Sequence, residues 1–399
     1  MNEAAQQLAG ASLASNPVRR ADTILHASFV LTGAVSTLLG PILPVLSAKW
    51  SLLDSQAGFL FAAQFAGSMA GVGLSSPLIL RFGARRLLAI GFGMMAAGVA
   101  LLGVGAWRLA AGSVLCYGVG LGLTIPTTNL LVSAANATGA AAALSILNFA
   151  WVAGAVVCPV LVAGLAPHDA TGIGLLGLAG LLAGFALIFA RTPFHLPAKV
   201  PGGQPGAPLG TSPWRSPLIP VLGLLFFLYV GTENAIGGWA ASYANRFHSG
   251  PGTLWALTPS CFWAAMLVGR AAAPAVLRFT PDAKVMTTGL VIAALGVTTL
   301  LVTPTVVGVF VGASLTGLGL APVFPITIAM LSHDFGVLAS RLAGSMFALA
   351  ALGGATMPWL VGFFSTRFTS LRLGLIVPLI GMFMMLAAHF AHAGVSARS

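Results

Sequence analysis

Charge is scarce in this chain. Of 399 residues only 6% are charged, and the acids number seven: Glu3, Asp22, Asp54, Asp169, Glu233, Asp282 and Asp334. A soluble domain carries about a quarter charged residues, so a water-facing surface is excluded for a chain of this length. Cysteine is equally sparse. Cys116, Cys158 and Cys261 all fall inside apolar runs, which argues against a disulfide framework and for small packing residues. No His-Glu-x-x-His motif occurs, and no lysine precedes Ser or Thr. A zinc-protease site and a phosphate-cradling Gly-Lys-Ser/Thr loop are therefore excluded. No lysine lies mid-run, which removes a retinal Schiff base. Nothing in the pattern points to an enzyme, a resident cofactor or a metal.

What is present is apolar. Hydrophobic residues make up 58%, and the mean hydropathy is +0.98. Runs of about 20 residues, each able to cross about 30 Å of hydrocarbon as a helix, recur at 22–49, 55–79, 87–106, 109–135, 141–166, 171–190, 216–245, 253–277, 284–302, 306–332, 341–365 and 372–393. They do not alternate as barrel strands would. The expected class is an all-α membrane protein with twelve transmembrane helices.

The net charge of +11 forms no stripe for nucleic acid. It sets topology instead. With the N-terminus inside, cytoplasmic segments hold Arg19, Arg20, Arg81, Arg85, Arg86, Arg191, Lys199, Arg215, Arg278, Lys284, Arg341 and Arg398. Outer segments hold only Lys49, Arg108, Arg246, Arg367 and Arg372. Both termini are expected in the cytoplasm, with the protein in the inner membrane. The first 21 residues lack a signal peptide's apolar stretch.

Residues 191–215 carry six prolines and four glycines, a composition that continues no helix. They divide the chain into a tail (1–21), a six-helix bundle (22–190), a linker (191–215), a second bundle (216–393) and a tail (394–399). The halves repeat. VGLSSPLILRFGARRLL (Val72 to Leu88) is echoed by VGRAAAPAVLRFTPDAKVM (Val268 to Met286), and GVGLGLTIPTTNLL of span four by LTGLGLAPVFPITIAML of span ten. NFAWVAGAVVCPVLVAG of span five is echoed by FALAALGGATMPWLVG of span eleven. Two pseudo-symmetric six-helix bundles joined by a linker suit a central site opened to each side in turn.

On these features the chain resembles the major facilitator superfamily. The loop RFGARR (Arg81 to Arg86) is similar to a reduced form of its loop motif, with Leu80 near the place of the usual Asp. FFLYVGTENAIGGWAASY (Phe226 to Tyr243) and the TIPTTNLL of span four resemble the fucose:proton symporter family, including its sodium-dependent glucose transporter-like branch. That resemblance implies the sugar class.

Glu233 is the one acid near mid-membrane, where a charge costs roughly 2.5–3.5 kcal/mol on insertion scales. It is tolerable in a wet cavity, protonated or paired, and it suits a coupling-ion site for H+ or for Na+, with Thr232 and Asn234 offering neighbouring oxygens. Asn148 and Trp151 share a face of span five. Gln64, Asn129, Tyr229, Asn234, Trp239 and Trp263 complete an uncharged set of amides, a hydroxyl and flat rings, the groups that hold a sugar. Gly237 and Gly238 suggest a bend in span seven that swings Trp239 in as an outer lid. Arg270 is read as snorkelling to the headgroups or as closing the cytoplasmic side. His26, His389 and His392 read as interface residues. Gly67/Gly71, Gly118/Gly122 and Gly180/Gly184 read as close-packing pairs.

The expectation is thus a monomeric secondary transporter importing a neutral monosaccharide, a hexose such as glucose, by ion-coupled symport. The alternative is a proton-driven efflux antiporter for amphipathic drugs. Against it, the Gly-x-x-x-Gly-Pro pattern common in span five of such pumps reads Gly154-Ala-Val-Val-Cys158-Pro159 here.

Overall fold

In a computed structural model of the chain, residues 22–136, 139–191, 214, 216–247 and 252–396 are described. The tails and nearly all of the 191–215 linker lie outside these, and with them Glu3, Arg19, Arg20, Lys199, Arg215 and Arg398. The first half contains α1 (Asp22–Thr37), α2 (Leu39–Trp50), α3 (Asp54–Val104), α4 (Trp107–Ala135), α5 (Ala140–Leu165) and α6 (Thr171–Arg191). The second contains α7 (Leu218–Asn245), α8 (Thr258–Leu277), α9 (Asp282–Val302), α10 (Val306–Leu320), α11 (Val323–Phe335), α12 (Ala339–Arg367), α13 (Leu371–Gly374) and α14 (Ile376–Ser396).

Among the described residues, ten helices are long and apolar enough to span a membrane, and the bent pair α1–α2 makes an eleventh. Its 44° break lies just before Pro41, whose ring crowds the Thr37 carbonyl and which has no N–H to offer it. The twelfth span is inside α3. A straight helix of 51 residues would reach about 77 Å, more than twice the hydrocarbon thickness. Gly83 interrupts it at φ 78°, ψ 156°, a region open to glycine alone. The two arms then lie in opposite directions along α4. Gly67 and Gly71 meet Leu115 and Val119 in parallel, while Gly91 and Gly98 meet Gly120 and Ser113 in antiparallel. The expected loop 80–86 is therefore helical except at one residue.

The second half repeats these seams. Gly317 meets Phe262 and Gly269 meets Leu318 between α8 and α10, and Gly289 and Gly296 meet Gly319 and Thr316 between α9 and α10. A methyl group at Gly154 would sit 1.9 Å from the Val30 carbonyl oxygen, and one at Gly353 equally close to that of Phe227. Spans one and five, and seven and eleven, thus cross through glycine at matching places. Of the expected packing pairs, Gly67/Gly71 and Gly118/Gly122 interlock. Gly180 and Gly184 do not, since nothing lies within 4 Å of where a side chain would point.

The two halves are joined toward the side away from the linker, here called the far side. Asp54 accepts from Arg246 at 2.5 Å and from the Ser365 hydroxyl, and Ser55 N–H donates to Thr366 Oγ1 at 2.8 Å. Phe61 packs on Trp239, with centroids 6.1 Å apart. Thr253 and Ser260 hydroxyls donate to the Ala163 and Val156 carbonyls. Nearer mid-membrane, Trp151 meets Trp263 edge to face at 5.5 Å. One turn further toward the linker side, Asn148 is exposed.

Candidate functional site

Helix periodicity decides which groups meet. In α7, Tyr229 and Glu233 are one turn apart on one face, and the Tyr229 hydroxyl donates to Glu233 Oε1 at 3.2 Å. Both are buried. In α8, Trp263 and Arg270 are seven residues apart, so they also share a face. Arg270 Nη2 donates to the Tyr229 oxygen at 3.2 Å and to Glu233 Oε1 at 3.4 Å. The Tyr229 ring stacks on Phe324 of α11 at 5.1 Å. A carboxylate, a phenol and a guanidinium thus form one polar cluster in an aromatic surround.

Arg270 therefore does not snorkel. It turns instead to the Glu233 carboxylate of the neighbouring helix. Its side chain is still 30% exposed, against 12% for Glu233. Helix geometry points it along the same face as Trp263.

Between the halves, along the same stretch of α7, is a narrow void of about 10 Å³, bordered by Ser36, Thr37, Phe61, Gln64, Asn234, Gly237, Gly238 and Trp263. Of the expected sugar-binding residues, it gathers Gln64, Asn234 and Trp263, with Trp151 against the last. Gln64 is already bound on both sides. Its Nε2 donates to the Ser36 carbonyl and its Oε1 accepts from Tyr117, each at 2.9 Å. Asn129, Asn148 and Asn234 each donate to the carbonyl four residues back.

Several expectations are corrected. α7 runs unbroken through Gly237 and Gly238. These glycines make room for Trp263 and Phe61 rather than a bend. Trp239 is accordingly not a lid: it is buried, and its Nε1 donates to the Pro358 carbonyl at 2.9 Å. Thr232 and Asn234 do not join Glu233 around a sodium ion. Neighbouring helix positions diverge by about 100°, so Thr232 meets Met357 while Asn234 faces the void. His389 and His392 are buried rather than interfacial. His392 Nε2 lies 2.6 Å from Asp334 Oδ2, whose side chain is 4% exposed, so this acid too is inside the bundle. Among the described residues no cluster of three His, Cys, Asp or Glu could hold a metal.

A family model described as the Major Facilitator Superfamily matches residues 25–340. The chain belongs to the major facilitator superfamily. Members of that superfamily are transporters rather than enzymes, and this one is a multi-span membrane protein. No curated protein matches the chain. Among solved structures, it is similar to a bacterial homolog of the human lysosomal transporter Spinster, inward-facing and unoccupied, with TM-score 0.78 and 13% identity over 95% of this chain and 97% of that one. It is also similar to a D-xylose-proton symporter, with TM-score 0.72 and 15% identity over 92% and 96%. The E. coli fucose:proton symporter FucP gives 0.62 and 16% over 94% and 99%. At these identities the likeness is one of fold, and within the superfamily it includes a fucose:proton symporter-like architecture.

Composition and spacing had not revealed the Arg270 contact, nor Tyr117 and Phe324. The seven-residue interval from Trp263 to Arg270 was the available signal for the first. The other two are ordinary core aromatics until the bundle closes.

Proposed function

We propose that this superfamily member is a secondary active symporter that imports a hydroxyl-rich solute of monosaccharide size, a hexose-class sugar, and couples it to an inward proton gradient through Glu233. The observation that carries this reading is the buried Tyr229–Glu233–Arg270 cluster on α7 and α8, two helices that also line a narrow void between the halves. A carboxylate held there by one donor hydroxyl and one long ion pair is placed to exchange a proton as the halves rock. Asn234, Trp263 and Trp151 provide amide and ring surface for a sugar, with Gln64 bracing the wall opposite. Proton symporters of xylose and fucose share the architecture, and the excess of Lys and Arg on the linker side supports a cytoplasmic position for it. The joined far side then makes this conformation inward-facing, and the chain works as a monomer.

The test is uptake of labelled hexose-class sugars into proteoliposomes with pH and sodium gradients imposed separately. The wild type is expected to accumulate solute above the bath concentration under the pH gradient only. Glu233→Gln is expected to exchange solute without concentrating it. Undiminished accumulation by that variant would remove the coupling role.

A further inference from the structure

Arg270 has binding capacity that its own chain does not use. A guanidinium presents five N–H donors in a planar fork. Among the described residues only Nη2 is engaged, with Tyr229 and Glu233, and Nε is shut from solvent with no partner. The contact to Glu233 is single and long at 3.4 Å, not the paired fork that carboxylates form with arginine.

Charge arithmetic then limits what can be carried. The empty carrier is balanced, carboxylate against guanidinium. Once Glu233 takes up the coupling proton, Arg270 is left as a cation that must be carried through a low-dielectric interior without its counter-charge, which is strongly disfavoured. A neutral sugar does not restore the balance. A solute with one negative charge does. Among the described residues the guanidinium's polar contacts are Tyr229 and Glu233 of α7; Phe324 stacks on Tyr229 and Trp151 packs on Trp263, and neither brings a charge.

We infer that the solute driven by this site is a sugar acid, a hexuronate or hexonate whose carboxylate is bound by the unused edge of Arg270. The inference rests on the proposed symport and names the acid class within it. One proton and one carboxylate enter together, the proton on Glu233 and the carboxylate on Arg270, so the loaded site crosses without net charge. Both are released inside, and the Glu233–Arg270 pair re-forms for the return.

The experiment loads proteoliposomes with wild-type protein and compares radiolabelled D-glucuronate, D-gluconate and D-glucose under an inward pH gradient. A membrane potential of either sign is clamped by potassium and valinomycin. At least one sugar acid is expected to accumulate about tenfold above glucose, with less than about a twofold change in rate on reversing the potential, because the loaded site is neutral. Accumulation of glucose in preference to both acids, driven by the potential, overturns the inference and leaves the symport standing. Failure of all three solutes to accumulate overturns both.

Binding of the accumulated acid to purified variants gives a second reading. Glu233→Gln is expected to keep affinity, whereas Glu233→Gln/Arg270→Gln, which leaves no stranded charge, loses about 30-fold and Arg270→Lys about tenfold, since lysine lacks the fork. Equal affinity in Glu233→Gln and the double variant overturns the role of Arg270.

Discussion

The two halves are close structural repeats, yet their polar chemistry differs. In the first half, the polar side chains Gln64, Tyr117, Thr124 and Thr127 near mid-membrane are buried, uncharged and already hydrogen-bonded. Gln64 links the Ser36 carbonyl to Tyr117, and Thr124 and Thr127 bond back to carbonyls of their own helix. In the second half, Glu233, Arg270 and Tyr229 leave charge and donor capacity unspent. Repetition of helices and glycine seams therefore does not repeat the site. One half is a neutral wall and the other carries the ionisable groups, so a solute enclosed between them meets charge from one side only.

The sharpest way to break this contrast is to remove one charge. Arg270→Met strands the Glu233 carboxylate and is expected to cost about 3 kcal/mol, the lower end for a broken buried pair because Arg270 is partly exposed. Glu233→Gln/Arg270→Met should recover most of that. Melting in detergent measures both, and a double variant no more stable than the single would show that the pair does not act as a unit. A smaller effect is expected in the neutral wall. Gln64→Leu leaves the buried Tyr117 hydroxyl without its acceptor and should cost about 2 kcal/mol while solute affinity in counterflow moves less than about threefold. A larger affinity loss would make Gln64 a substrate ligand instead of a brace. The smallest change is expected at the far side. Asp54→Asn weakens a half-exposed link to Arg246 worth about 0.5–1 kcal/mol. It should raise the population in which spin labels on the exposed Leu53 and Phe368 are far apart, and an unchanged distance distribution would show that other contacts hold that side shut.

Much of the fold was legible because hydropathy dictates it. The twelve runs were visible, and the repeated glycines fell where helices cross. The breaks were less so. Pro41 marks the bend after α1, but the expected bend at Gly237 and Gly238 is absent, because paired glycines permit a kink without requiring one and here Phe61 and Trp263 fill the space. At the site, Glu233 stood out as a lone acid and Tyr229 followed from its four-residue spacing. Arg270 was misread because a cation a few residues from a helix end can reach either headgroups or a carboxylate. Which it reaches depends on the packing of α8 against α7, and that is a tertiary fact. Asp334 looked like a span-end acid for the same reason, until α14 brought His392 to it.

The single non-helical residue in α3 has a mechanical consequence. Spans two and three turn on one glycine, with no slack chain between them to absorb motion. At the opposite tip of span two, Asp54 is fastened to the other bundle through Arg246 and Ser365. Span two is therefore a lever with a stiff elbow at one end and a detachable clasp at the other. In the proposed rocking, torque at the opened clasp would pass through Gly83 into span three and on to α4, tipping the first bundle as one body.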